Sequence, residues 1–307
     1  MVKPTPWLLI PAAGLASAAM AAPRPLLTMN FDKGGQAPSA KAPIAPIAPI
    51  ATIPGPDGAN IRPTIDKGTR PALSSGIVSS GCLSPPNCLR VSMAPTQPGA
   101  AKNKIMYSFW SHYRALPGGA ANRFRIGDDK PLQFQFAMKL DPNYDTPPHQ
   151  MIHFQVFQAA STGKGRKVPG IEPGGPILSL RIVPQSRRST ESDQVQEFII
   201  VVRNPAATKL YYYGTRDPGV LYRGTMRKGV WTRFNFELLS VEKGSETGGR
   251  IRAFMNGRQI VDYRGAWGFS PTAYGAWRDL GLELGAYRSA DKTGTQTVYF
   301  DNIAVSR

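Results

Sequence analysis

Residues 229–265 read GVWTRFNFELLSVEKGSETGGRIRAFMNGRQIVDYRG, and this stretch decides the fold. Phe234, Phe236 and Leu238 alternate with Asn235 and Glu237, the period-two pattern of a strand with one buried face. Asn256-Gly257 then sits between two such runs. A two-residue type I′ hairpin needs φ > 0 at both central positions, which Asn and Gly tolerate at least cost. The pattern continues to the C-terminus: LGLELGAYRS (280–289) and TVYFDNIAV (297–305) are further apolar-alternating runs separated by turn residues.

Upstream, the same reading finds strands in LRVSM (89–93), KPLQFQFAMKL (130–140), QMIHFQVF (150–157), ILSLRIV (177–183) and EFIIVVRN (197–204). KLYYYG (209–214) and GVLYRG (219–224) read as short strands or a hairpin arm. Amphipathic helical periodicity is absent, and Pro-Gly, Asp-Pro and Gly-Gly breaks recur between the runs. The expectation is an all-β chain folded as a two-sheet antiparallel β-sandwich, a jelly roll.

The N-terminal portion reads differently. Residues 1–21 combine Lys3, an apolar run from Trp7 to Ala19 and the small-residue site Ala19-Met20-Ala21, the signature of a secretory signal peptide. The run is too short to span a bilayer. Residues 22–60 carry APIAPIAPIATIPGP (42–56), in which recurrent proline favours extended polyproline II, so the sequence predicts a coreless spacer there and one domain over 61–307. The expected location is the periplasm or the exterior. Cys82 and Cys88, in CLSPPNC, are expected to form a local disulfide in such a compartment.

Formal net charge is +17. Charge of this size draws polyanions and speeds their encounter. Export disfavours nucleic acid as the partner, which leaves acidic polysaccharides and anionic surfaces; no membrane span is expected, and the protein is expected to be a monomer.

The chain has three histidines, His112, His149 and His153. Alternation puts Ile152, Phe154 and Val156 on the core face of their strand, with His149, Met151, His153, Gln155 and Phe157 opposite. Arg181 lies opposite Leu178, Leu180 and Ile182. Glu283, Gly285 and Tyr287 lie opposite Leu284 and Ala286. His153, Gln155, Arg181 and Tyr287 are therefore expected to converge. Tyr211, Tyr212, Tyr213, Trp267, Tyr274 and Trp277 are candidate sugar-stacking rings. No G-x-S-x-G elbow, Walker loop or E-x-D-x-E carboxylate strand is present. No metal site or cofactor is expected; Asp301-Asn302 reads as a turn rather than a site for a structural Ca2+.

The motifs HQMIHFQ, PILSLRI, KGVWTRFNFEL, MNGRQIVDYRG, LGAYRS and VYFDNIAV occur in an order that resembles the polysaccharide lyases of the concanavalin-like jelly-roll fold, in particular the heparin-lyase-I-like and glucuronan-lyase-like groups. The resemblance spans roughly residues 89–307. It implies β-elimination at a uronic acid of a glucuronan-, alginate- or heparin-like polymer. The C5 proton becomes acidic once the adjacent carboxylate is neutralised by side-chain donors, and a base removes it. Carried over by motif, His153 is base or carboxylate contact, Gln155 the neutraliser and Tyr287 the base and acid. Arg181, His149, Arg114, Arg288 and Glu283 are assigned to the substrate-binding site, with Arg123 and Arg125 as alternatives to Arg114. An unperturbed phenol, with a pKa of about 10, is a poor base at neutral pH, and Arg181 and Arg288 are expected to supply the positive charge that favours its ionised form. Glu283 stands where related alginate-type lyases carry Lys in a K-x-G-x-Y pattern, and a carboxylate there repels a uronate. The alternative reading is a non-catalytic carbohydrate-binding sandwich; a third is an adhesive envelope protein on a proline-rich stalk.

Overall fold

The computed structural model describes residues 25–29, 31, 53–54, 60–61, 64–67, 73–95, 102–108, 124–125, 131–158, 176–184, 193–202, 219–239, 249–265, 267, 279–289 and 291–307. The N-terminal strands are β1 (Pro25–Met29), β2 (Ile53–Pro54), β3 (Asn60–Ile61), β4 (Thr64–Lys67), β5 (Leu73–Val78) and β6 (Cys88–Met93). The middle of the chain gives β7 (Lys102–Ser108), β8 (Phe124–Arg125), β9 (Leu132–Leu140), β10 (Met151–Gln158), β11 (Leu178–Ile182) and β12 (Val195–Val202). The C-terminal third gives β13 (Val220–Arg227), β14 (Thr232–Leu239), β15 (Arg250–Met255), β16 (Arg258–Arg264), β17 (Asp279–Ser289) and β18 (Gln296–Ser306).

These strands form two antiparallel sheets. The first runs β16-β15-β14-β9-β18-β6-β5, with β1 added on β18; the second runs β13-β12-β11-β10-β17-β7-β4, with β8 added on β17. A separate ladder joins β2 and β3. Consecutive strands pair along β16-β15-β14, β6-β5 and β13-β12-β11-β10, while the junctions β14-β9, β9-β18, β18-β6, β10-β17, β17-β7 and β7-β4 join strands apart in sequence, as a jelly roll requires. The expected hairpin is present: β15 and β16 are joined at Asn256 (φ 51°) and Gly257 (φ 82°), and the Asn256 side-chain oxygen accepts the Arg233 N–H at 2.8 Å.

The core lies between the sheets. Phe134, Phe136, Phe234, Phe236 and Phe300 come from the first sheet, and Phe154, Leu180 and Phe198 from the second. Phe154 meets Phe236 at 4.6 Å and Phe134 at 5.1 Å between ring centroids, while Phe198 meets Phe234 edge-on at 5.8 Å. Each such ring removes most of its surface from water, worth about 1.5–3 kcal/mol by transfer.

The expected Cys82–Cys88 disulfide is present, with Cα atoms 5.4 Å apart. Its loop is pinned to β18, because the Ser84 N–H donates to Asp301 at 2.8 Å and the Asn302 amide donates to Ser84 Oγ at 2.8 Å. Asp301 and Asn302 lie within β18, where the register shifts and Asn302 takes φ 49°, and not in the turn expected from the sequence; from there they anchor this loop.

The spacer boundary differs from the sequence expectation. Pro25–Met29 lies within the stretch assigned to a coreless spacer, yet it pairs with Ile303–Ser306 of β18, and Phe31 is buried in the core cluster. An apolar PLLTM segment finds an open strand edge at β18, and pairing there satisfies its backbone. Residues 1–21, the proline repeat up to residue 52 and the 209–214 tyrosine run lie outside the described residues. Among the described residues no helix is long and apolar enough to cross a membrane.

Candidate active site

The outer face of the second sheet carries two straight rows of side chains, in which the polar residues of β11, β10, β17 and β7 sit beside the aliphatic Ile152, Ile199 and Val201. Residues that are Cα partners across a ladder point to the same face. The first row runs Ile199–Arg181–Ile152–Tyr287–Lys104, across β12, β11, β10, β17 and β7. The second runs Val201–Ser179–Gln155–Glu283, across β12, β11, β10 and β17. Strands lie about 4.8 Å apart, so Arg181 and Tyr287 start roughly 10 Å from each other, about the span of two sugar rings. Arg181, Gln155, Glu283 and Tyr287 therefore share one face.

Hydrogen bonds fix how these side chains stand. Arg181 donates from Nε to Ser179 Oγ at 2.8 Å and from one terminal nitrogen to Gln150 Oε1 at 2.7 Å. Gln155 donates its amide N–H to Glu283 Oε2, and Lys104 Nζ forms an ion pair with the same oxygen at 3.3 Å. An ionised carboxylate only accepts, so the amide nitrogen of Gln155 must face Glu283. Among the described residues its oxygen, Oε1, is buried and has no partner. Gln155 and Ser179 are buried outright, and Arg181 and Glu283 nearly so, whereas Tyr287 and Lys104 are partly exposed.

His153 does not join this face, which corrects the expectation from alternation. The β10 register shifts between Ile152 and Phe154 against both neighbours. His153 is the extra residue of a bulge, so two successive side chains, His153 and Phe154, turn inward while Ile152 takes the outer face. The imidazole is fully buried, with Nδ1 donating to the Gly285 carbonyl at 2.7 Å and Nε2 accepting the Tyr144 hydroxyl at 3.0 Å. Burial pushes its pKa down to about 4, against the carbonyl contact that favours the charged form. Both nitrogens are engaged inside the core, so neither reaches a substrate. The sequence signal was on the neighbouring strand. Gly285 is a strand-interior glycine at φ 149°, and a Cβ there would stand 2.1 Å from the Ile105 carbonyl oxygen.

Three other candidates also move. Arg288 points into the protein: it pairs with Asp291 at 2.6 Å, both side chains 2% exposed, and donates to the Ala94 carbonyl at 2.8 Å. Burial would raise the Asp291 carboxyl, but the Thr293 and Gly294 N–H groups, Gln296 and Arg288 outweigh it and hold it below the usual range. Arg288 is thus a core ion pair and not a substrate contact. His149 is exposed in a bend before β10 and is not on the strand. Trp267 is fully buried, with its indole N–H donating to the Leu239 carbonyl at 3.1 Å, so it packs the sandwich and offers no ring to a sugar. Arg114, Arg123, His112, Tyr274 and Trp277 lie outside the described residues, as does the side chain of Arg125. Among the described residues no group of three or more His, Cys, Asp or Glu could hold a metal ion.

Lys104 is the residue the sequence reading missed. KNKIMYS (102–108) alternates, with Ile105 and Tyr107 in the core, which sends Lys104 and Met106 outward. From the adjacent strand Lys104 brings a cation to the side of Glu283.

Comparisons with known proteins agree with this architecture. The family described as "Polysaccharide lyase" matches residues 89–304. Among solved structures, the endo-beta-1,4-glucuronan lyase from the fungus Trichoderma reesei superposes with a TM-score of 0.51 at 13% identity, covering 79% of this chain and 90% of that one. The alginate lyase Aly36B superposes with a TM-score of 0.50 at 13% identity, covering 80% and 86%. At this identity the likeness is one of fold. No curated protein matches by sequence.

Proposed function

The chain belongs to the polysaccharide lyase family, and from that premise we propose that it cleaves an anionic, uronate-containing polysaccharide by β-elimination on the outer face of its second sheet. The observation that carries this reading is the shared face of Arg181, Gln155 and Tyr287, set by ladder register rather than by sequence proximity. The two neighbours are named for glucuronan and alginate, both uronate polymers, and the +17 charge favours encounter with a polyanion.

In this reading Arg181 and the Gln155 amide hold the uronate carboxylate, which stabilises charge that develops at C5. The Tyr287 oxygen takes the C5 proton. The electron pair left at C5 forms the 4,5-double bond, the C4–O bond breaks, and its pair leaves on the departing oxygen. Tyr287 then returns the proton to that oxygen and ends as it began. The chain is exported in this reading, with residues 1–21 as its leader, because polymeric substrates of this kind do not enter the cell intact.

The test incubates the purified protein with glucuronan, alginate and heparin and follows ultraviolet absorbance of the unsaturated product. The expected result is product from at least one polymer, and a loss in kcat of about a hundredfold or more in Tyr287→Phe with binding kept. Binding without product in the wild type would identify a carbohydrate-binding sandwich, and full activity in Tyr287→Phe would remove the role given to the phenol.

A further inference from the structure

Glu283 has the surroundings of a bound ligand rather than of a surface carboxylate. It is 8% exposed on the reactive face. Donors from the strands on either side converge on one of its oxygens: the Gln155 amide from β10 and the Lys104 ammonium from β7. This is how a protein binds a carboxylate that comes from outside. Lys104 has travelled to make the contact. Its Cα stands opposite Tyr287, and Glu283 lies four positions further along β17, roughly 13 Å of strand. An extended lysine and a glutamate together span that distance only if the lysine lies along the face. The outward position between Tyr287 and Glu283 belongs to Gly285, which has no side chain to block the path.

We infer that Glu283 is a specificity-determining residue that acts as an internal carboxylate, holding Lys104 and Gln155 in the arrangement a substrate carboxylate requires and competing with that carboxylate for them. The inference rests on the lyase reading for the identity of the substrate group. Its consequence is that the face carries a smaller net positive charge than its cations suggest. Binding a uronate at this point requires Lys104 and Gln155 to exchange one carboxylate for another.

Glu283→Gln tests this, because it removes the charge while keeping an acceptor of the same size. A unit charge about 5 Å from an anion is worth about fourfold in affinity at the dielectric of water, which is the lower bound for a partly buried site. The expected result is a KM for polyuronate lower by about that factor, a steeper weakening with added salt, and no loss of kcat of the Tyr287→Phe kind. Lys104→Met should raise KM, because it removes a cation from beside Glu283 on the face that meets the substrate. Calorimetric binding of a saturated oligouronate to wild type and to Glu283→Gln gives the same comparison without turnover. If no polymer yields unsaturated product yet Glu283→Gln binds the oligouronate more tightly, the catalytic reading fails and this inference stands. An unchanged or weaker oligouronate affinity in Glu283→Gln, or no binding to either protein, overturns it, as does a kcat loss that marks Glu283 as part of the chemistry.

Discussion

Acidification should destabilise this protein through one buried imidazole, that of His153. His153 is fully buried, and its pKa falls from 6.5 to about 4, chiefly because burial penalises the charged ring. In the unfolded chain it takes a proton as pH drops below about 6.5; in the folded protein it stays neutral until about 4. Between those values the unfolded state binds more protons, so stability falls as pH falls, and it is flat above the window. At about 1.4 kcal/mol for each pH unit between the two values, the loss approaches about 3 kcal/mol. That is a large fraction of the 5–15 kcal/mol that holds a typical domain together. Asp291, held below its ordinary value, adds its own loss only below about pH 4, outside this window. Urea unfolding followed by tryptophan fluorescence from pH 7.5 to 4.5 measures the slope. His153→Gln keeps groups able to donate to the Gly285 carbonyl and accept from Tyr144, so it should start less stable and lose the acid-sensitive slope, with turnover at neutral pH retained. A wild-type profile flat from pH 7 to 4.5, or an equal slope in His153→Gln, would refute the argument. Loss of turnover in a folded His153→Gln would return His153 to the chemistry.

The same packing sets two further outcomes. Arg288→Met leaves the Asp291 carboxylate buried without its partner and should cost about 3–5 kcal/mol by urea midpoint, with part of the loss recovered in the double variant that also carries Asp291→Asn. Gly285→Ala forces a Cβ to within 2.1 Å of the Ile105 carbonyl oxygen at a φ that side chains rarely adopt. It should lower the thermal midpoint by more than Arg288→Met or abolish folding, and a midpoint near wild type would mean that β7 yields easily.

The strands were legible wherever one face is buried and the other wet. Phe234, Phe236 and Leu238, or Leu132, Phe134, Phe136 and Met138, announce themselves because apolar side chains two apart must share a face. The Asn256-Gly257 turn was equally plain, since few residues accept its dihedrals. These signals are local, and local chemistry survives in a one-dimensional string. Strict alternation failed at Ile152-His153-Phe154. The bulged His153 meets the carbonyl of a glycine more than a hundred residues away, and one inserted residue reverses the face of every later side chain in the strand. The same limit hid Lys104. Its side chain matters because β7 lies beside β17, a neighbour fixed by pairing across the sheet.

The amino-acid sequence determined that this chain builds amphipathic strands, closes a hairpin at Asn256-Gly257 and carries a strong positive charge, because each depends on residues a few positions apart or on composition alone. Only the tertiary structure decided that His153 faces the core, that Arg288 is an internal ion pair, and that Lys104 and Gln155 meet at Glu283. Each of those depends on which strands lie side by side and in what register, and the burial of two whole sheet faces, not any short run of residues, sets that register.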